Sequence, residues 1–215
     1  MNSSAALTAA QPQNQPGRAP RRDVERNYQR VLEAAREVFG ELGAAASMEE
    51  IASRAGVGVG TVYRRFASKD ALLDEIVRQS MQAMLRAADD ALASAAGDGL
   101  AQYLHAVGEE FASHARYAGL LLTRSADPAE RARLRAALEE LTHRAVAAGS
   151  VAPNVTAADV TALVWSLRGL VQADATLPPD AWQRYLAIHL AGLRSGATGP
   201  TSGTLPPPGT FDDSR

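Results

Sequence analysis

Within the stretch GVGVGTVYRRFASK at positions 56–69, Thr61, Tyr63, Arg64, Arg65 and Lys69 concentrate hydroxyl groups and cations directly behind three glycines. Side chains of this kind suit phosphate oxygens, which take charge-assisted hydrogen bonds, and base edges, which offer arginine a bidentate pair of acceptors. Gly58, Val59 and Gly60 carry little side chain, so the backbone leading into the cluster can come close to a large partner. Lys69 is the only lysine in the chain and follows Ser68, a residue suited to cap a helix. A cation beside a positive helix terminus makes a place for a phosphate.

Positioning these groups requires short helices meeting at a corner. Upstream, Tyr28, Val31, Leu32, Ala35, Val38, Phe39 and Leu42 recur at intervals of three and four, which predicts a helix with one apolar stripe, ended by Gly43. Ser47-Met48-Glu49-Glu50 is a capping box, and it predicts a short helix that buries Met48, Ile51 and Ala52 and stops near Gly56. A third helix runs from about Gly58 to Phe66, and Ser68 caps a fourth that reaches about Ala95. Ala52 allows the second and third helices to approach, Gly56 supplies the left-handed corner, and Val57 and Val62 fill the wedge. This is a helix-turn-helix, whose second helix enters the major groove of DNA. The candidate DNA-binding set is Ser47, Gly58, Val59, Gly60, Thr61, Tyr63, Arg64, Arg65 and Lys69.

The remainder also reads as helix. Gly97-Asp98-Gly99 breaks the chain, and Leu100, Tyr103, Leu104, Val107, Phe111 and His114 form the next stripe, followed by a short apolar piece at Leu120–Leu122. Asp127-Pro128-Ala129-Glu130 combines an N-cap, a proline at the first helical position and a capping glutamate, opening a helix to about Ala148. Thr156 caps a helix with Val160, Leu163, Val164, Leu167 and Val171 on one side and Thr161, Trp165, Arg168 and Gln172 on another, and both sides are expected to be covered. Pro179-Asp180 opens a last helix with the stripe Trp182, Tyr185, Leu186, His189 and Leu193. The expectation is an all-α protein of about nine helices. Residues 1–21 and 195–215 read as disordered tails, 22–68 as the helix-turn-helix domain and 69–194 as a larger helical domain.

Composition narrows the chemistry. The chain of 215 residues is 46% apolar and 5% aromatic, rich in alanine and leucine, which favours packed helices. It contains no cysteine, which removes disulfides, thiolate metal sites and thiol catalysis and fits a reducing cytoplasm. Neither a secretory leader nor an apolar run long enough to span a membrane is found. The net charge of −2 is divided unevenly, with ten Lys/Arg against eight Asp/Glu in residues 1–70 and twelve against sixteen beyond. Of the four histidines, His105 and His114 fall about 180° apart on one helix, and His143 and His189 lack any short ligand spacing, so no metal is expected. No nucleophile–base or acid-pair context points to catalysis. An alanine- and arginine-rich composition with a single lysine accords with a GC-rich, bacterial genome.

Ile51-Ala52, the run Gly56-Val57-Gly58-Val59-Gly60-Thr61-Val62-Tyr63-Arg64-Arg65-Phe66, and Ser68-Lys69 resemble the DNA-binding signature of the TetR family of one-component transcriptional regulators, over about residues 24–76. The resemblance implies a homodimer that binds double-stranded DNA at a palindromic operator, with residues 69–194 as a ligand-binding and dimerisation domain. It implies that Tyr63 and Lys69 contact phosphates, Thr61 lies at the groove, Gly60 permits close approach and Phe66 anchors the small core. Arg64 and Arg65 fill variable positions. Either or both face the groove, or they form a solvated surface pair.

The expected activity is that of a repressor released by a small-molecule effector, with no cofactor and no catalysis. Two chains pair through their last two helices as a four-helix bundle. A pocket lined by Tyr103, His114, Tyr117, Trp165 and Arg168 stands beside the alternative of a satisfied core histidine with interface residues. Arg18, Arg21 and Arg22 form either a basic arm that follows DNA or a merely solvated tail. The rival class is a helical small-molecule-binding protein or enzyme with a vestigial DNA-binding domain.

Overall fold

The Ser47 hydroxyl accepts the Glu50 amide at 3.2 Å, and the Glu50 carboxylate accepts the Ser47 amide at 2.8 Å, so two otherwise orphaned donors are satisfied together. This capping box starts α2 (Met48–Ala55) in the computed structural model, which describes residues 19–94, 97–117, 127–173, 178 and 180–196. Gly56 ends α2 at φ 64°, ψ 39°, the left-handed corner that a side chain would strain. From Gly58 the chain enters α3 (Val59–Arg65), and Ser68 then accepts the Ala71 amide at 3.1 Å to start α4 (Lys69–Ala93).

Ahead of α2 lies α1 (Ala19–Leu42), joined to it through a 3₁₀ turn at Gly43–Ala45. Beyond α4 come α5 (Gly99–His114), a 3₁₀ turn at Ala115–Tyr117, α6 (Pro128–Ala147), α7 (Ala157–Ala173) and α8 (Ala181–Ser195). The caps expected at Asp127 and Thr156 are made. Asp127 accepts the amides of Ala129 and Glu130 at 2.8 and 3.3 Å, while Thr156 and Asp159 exchange side-chain-to-amide bonds. Eight α-helices and no strand occur among the described residues. The short apolar piece expected at Leu120–Leu122 lies outside them, as do residues 1–18 and 197–215.

Two hydrophobic cores follow from the stripes. The first gathers Leu32, Phe39, Ile51, Val62, Phe66, Leu72 and Ile76, and the second gathers Tyr103, Leu104, Leu141, Leu163, Leu167, Trp182 and Leu186. The 25 residues of α4, about 37 Å of helix, run through both: its first turns complete the small core, and Ala88 and Ala91 join the large one. The division therefore falls within α4 as well as at its start. In the large core α5 packs on α4, α7 and α8, and α6 on α4 and α7. Gly108 on α5 makes the α8 contact possible, because a Cβ there would overlap the Trp182 ring.

Two local outcomes differ from the sequence reading. Helix α1 begins at Ala19, so Arg21 and Arg22 stand on helical backbone rather than on a preceding arm. Pro20 does not prevent this, since the first helical turns lack amide partners in any case. On α7 the face carrying Trp165 is open in the single chain, with Trp165 56% exposed, because Val160, Leu163 and Leu167 direct the opposite face into the core.

Candidate nucleic-acid interface

Helix α3 is anchored from behind by Val62, which is fully buried, and by Phe66, whose ring stacks on Tyr28 at 5.9 Å. Its outer surface presents Val59, Tyr63, Arg64 and Arg65 to solvent. Tyr63 is 46% exposed, well beyond what a tyrosine retained for packing would show. At Gly58 and Gly60 an added Cβ would meet nothing within 4 Å. The protein's own packing places no demand for glycine at these positions, so the space over the start of α3 is left for an external body.

The neighbouring arginines have different settings. The Arg65 guanidinium lies over the Tyr28 ring, 4.8 Å from its centroid. The Tyr28 hydroxyl donates to Glu75, which also pairs with Arg78 on the next turn of α4. This relay ties α3 to α1 and α4. Burial pushes the Glu75 carboxyl up, but hydrogen bonds from Arg78 and Tyr28 outweigh it and hold the group below the usual carboxylate range. Burial and the Glu75 carboxylate push the Tyr28 phenol up. Tyr28 therefore stays a donor and Glu75 an acceptor at neutral pH. Arg64 makes no such contact among the described residues and projects from the exposed surface.

Lys69 and Ser47 have local duties as well. The Lys69 ammonium donates to the carbonyls of Ala44 and Ala46 at 2.6 and 3.3 Å, tying the linker before α2 to the start of α4. One of its three protons is left without a bond among the described residues. The Ser47 hydroxyl donates to Glu50 at 2.7 Å while accepting the Glu50 amide. Thr61 is half-buried and its amide bonds the Gly58 carbonyl at 2.8 Å. Sequence reasoning missed the relay: Tyr28 was visible only as a member of an apolar stripe, and the three-residue spacing of Glu75 and Arg78 was the available signal.

The five residues considered for a small-molecule pocket fall in three settings. Tyr103 is fully buried in the large core, its hydroxyl without a hydrogen-bond partner. His114 and Tyr117 pack ring to ring at 5.5 Å where the domains meet, and Tyr117 continues onto Phe39 of α1. Trp165 and Arg168 stack on each other at 5.4 Å on the open face of α7. Among the described residues no group of three potential metal ligands occurs, and no helix is long and apolar enough to cross a membrane.

A family model described as bacterial regulatory proteins, tetR family, matches residues 31–76, the segment from α1 to the first turns of α4. The HTH-type transcriptional regulator UidR of Escherichia coli (strain K12) is 42% identical over 57 residues, 26% of this chain and 29% of that protein. This match thus spans less than a third of the relative's length. Solved structures extend the likeness to the whole fold. A TetR transcription regulatory protein from Mycobacterium vanbaalenii is 31% identical, with 81% of this chain and 98% of that one covered at a TM-score of 0.61. A TetR transcriptional regulator from Streptomyces coelicolor is 27% identical, covering 77% and 97% at a TM-score of 0.58.

Proposed function

The chain belongs to the TetR family of bacterial transcriptional regulators, and from that premise we propose that it is a homodimeric repressor which a small-molecule effector releases from a palindromic operator. The observation that carries the DNA-binding part is α3 itself: Tyr63 and Arg64 stand exposed beside Gly58 and Gly60, over which the protein places nothing. In the major groove Arg64 and Thr61 face base edges, Tyr63 and the remaining Lys69 proton take phosphates, and Val59 lies against the groove floor. The family is one of regulators rather than enzymes.

Dimerisation is supported by the last two helices. Trp165 on α7 and Ile188 on α8 are 56% and 59% exposed, large apolar surfaces on neighbouring elements. A second copy covers the same face by twofold symmetry, giving a four-helix bundle of α7 and α8 from each chain. That pairing sets the spacing of the two recognition helices, and the protein works in the cytoplasm, where its DNA lies. An effector lowers operator affinity by preferring a state in which the two α3 helices do not both reach the groove, each 1.4 kcal/mol of preference being about tenfold.

The test is a footprint of the full-length protein on palindromes from the intergenic DNA beside its gene, repeated with metabolite panels. Protection of both half-sites, lost in Tyr63→Ala and reversed by one metabolite, is expected. A monomer that ignores every fragment at low salt refutes the proposal. Equal affinity with every metabolite removes the switch alone.

A further inference from the structure

A cleft of about 630 Å³ lies between α1 on one side and α4 and α5 on the other, spanning the two domains. Its lining is strongly polar, and its charges are incompletely matched. Arg78 is engaged by Glu75, but the Arg36 Nε is buried without a hydrogen-bond partner, although Nη2 of the same side chain donates to Gln79 at 2.7 Å. Arg86 is exposed with neither an ion pair nor a hydrogen bond among the described residues. On α5, the ion pair that Glu110 makes among the described residues is with the His114 Nδ1, at 3.4 Å. Burial, opposed by Glu110 and reinforced by Arg36, holds His114 below the ordinary histidine range. At neutral pH that imidazole is uncharged and does not neutralise Glu110.

Groups of both signs without a full set of partners thus line the same cleft. The Gln79 bond brings Arg36 to this part of α4, and the second cleft along α4, lined by Ala83, Ala87 and Glu110, shows that this stretch faces Glu110. A donor left buried without an acceptor costs free energy that a ligand oxygen recovers. A purely anionic ligand would leave Glu110 unmatched and repelled, and a purely cationic one would do the same to the arginines. Amide groups of Gln79 and Gln82 line the cleft along α4 between the Arg36 contact and Arg86.

We propose that this interdomain cleft binds a free α-amino acid, its carboxylate on Arg36 and Arg86, its ammonium on Glu110, and its side chain along Gln79 and Gln82. The site is separate from the five-residue pocket considered above, sharing with it only His114. Its consequence for regulation rests on the DNA-binding reading. Tyr28, which carries Arg65 of α3, lines the same cleft, so a ligand here touches the relay that orients the recognition helix. Any change it makes in operator affinity is matched by an equal change in its own affinity when DNA is bound.

The experiment is isothermal titration of the full-length protein, without DNA, with the common α-amino acids, with succinate as a carboxylate-only probe and with putrescine as an ammonium-only probe. Saturable binding of at least one amino acid, one per chain, at or below about 1 mM is expected, with neither single-sign probe matching it. Arg86→Gln and Glu110→Gln each weaken that binding by about tenfold or more. Absence of saturable binding by any amino acid, equal binding of succinate or putrescine, or undiminished affinity in both variants overturns the site. Duplex binding is measured on the same unliganded protein. Its absence beside intact amino-acid binding leaves the site standing and removes the regulator reading alone.

Discussion

Replacing Arg64 and Arg65 one at a time separates two roles that the sequence leaves fused. Arg65 is held over Tyr28 at 4.8 Å, a cation–π contact at a partly exposed site worth about 0.5–1 kcal/mol. In a chain of 215 residues, Arg65→Ala should therefore lower Tm by about 1–4 °C. Tyr28→Leu should remove the same contact, so the double variant should fall short of additivity by about 0.5–1 kcal/mol. Arg64→Ala removes an exposed side chain with no partner among the described residues and should leave stability within about 0.5 kcal/mol of wild type. In duplex binding the order reverses. Arg64→Ala should cost about 1–3 kcal/mol per half-site and relax base preference if it reads an edge, or reduce the salt slope by about 0.9 per phosphate if it does not. Melting followed by circular dichroism and anisotropy titrations at several salt concentrations provide both readouts. If Arg65→Ala leaves Tm unchanged while costing as much specificity as Arg64→Ala, the division between reader and relay is wrong.

Three other outcomes follow from separate parts of the molecule. Gly108→Ala drives a methyl group into the Trp182 ring and should destabilise by about 1–3 kcal/mol, with a change in Trp182 emission measured in a Trp165→Phe background. His114 has a folded-state pKa below its ordinary 6.5, so the unfolded chain takes up a proton that the native chain resists; stability should fall as pH drops through 6.5 and level off below the folded value. Urea midpoints should show this slope as pH falls below about 7, and His114→Gln should flatten it there, leaving the more acidic losses from Glu50 and Glu75, whose carboxyls sit below their usual range. Trp165→Asp puts a charge on the face assigned to the second copy and should shift the protein to monomer in sedimentation, with loss of cooperative operator binding. A dimer of unchanged strength would place the interface elsewhere.

The helix-turn-helix was legible in the sequence because its determinants are local. A capping box acts across three residues, a left-handed corner needs one glycine, and a helical stripe repeats every three or four positions. Ser47, Gly56, Ser68, Asp127 and Thr156 consequently hold the positions expected of them. The spacing of Gly60, Thr61 and Tyr63 marks the segment that forms α3.

Tertiary structure decided what those side chains touch. Arg64 and Arg65 are indistinguishable as letters, and only the packing of α1 behind α3 brings Tyr28 under one of them. Lys69 reads from sequence only as a phosphate ligand, and only the folding back of the linker offers it the carbonyls of Ala44 and Ala46 as well, 25 and 23 residues away in sequence. The interdomain cleft exists only because α1, α4 and α5 converge. Its unmatched charges come from separate stripes, each of which looks like an ordinary solvated face. Periodicity specifies which side of a helix is buried, but the partner it meets depends on long-range packing.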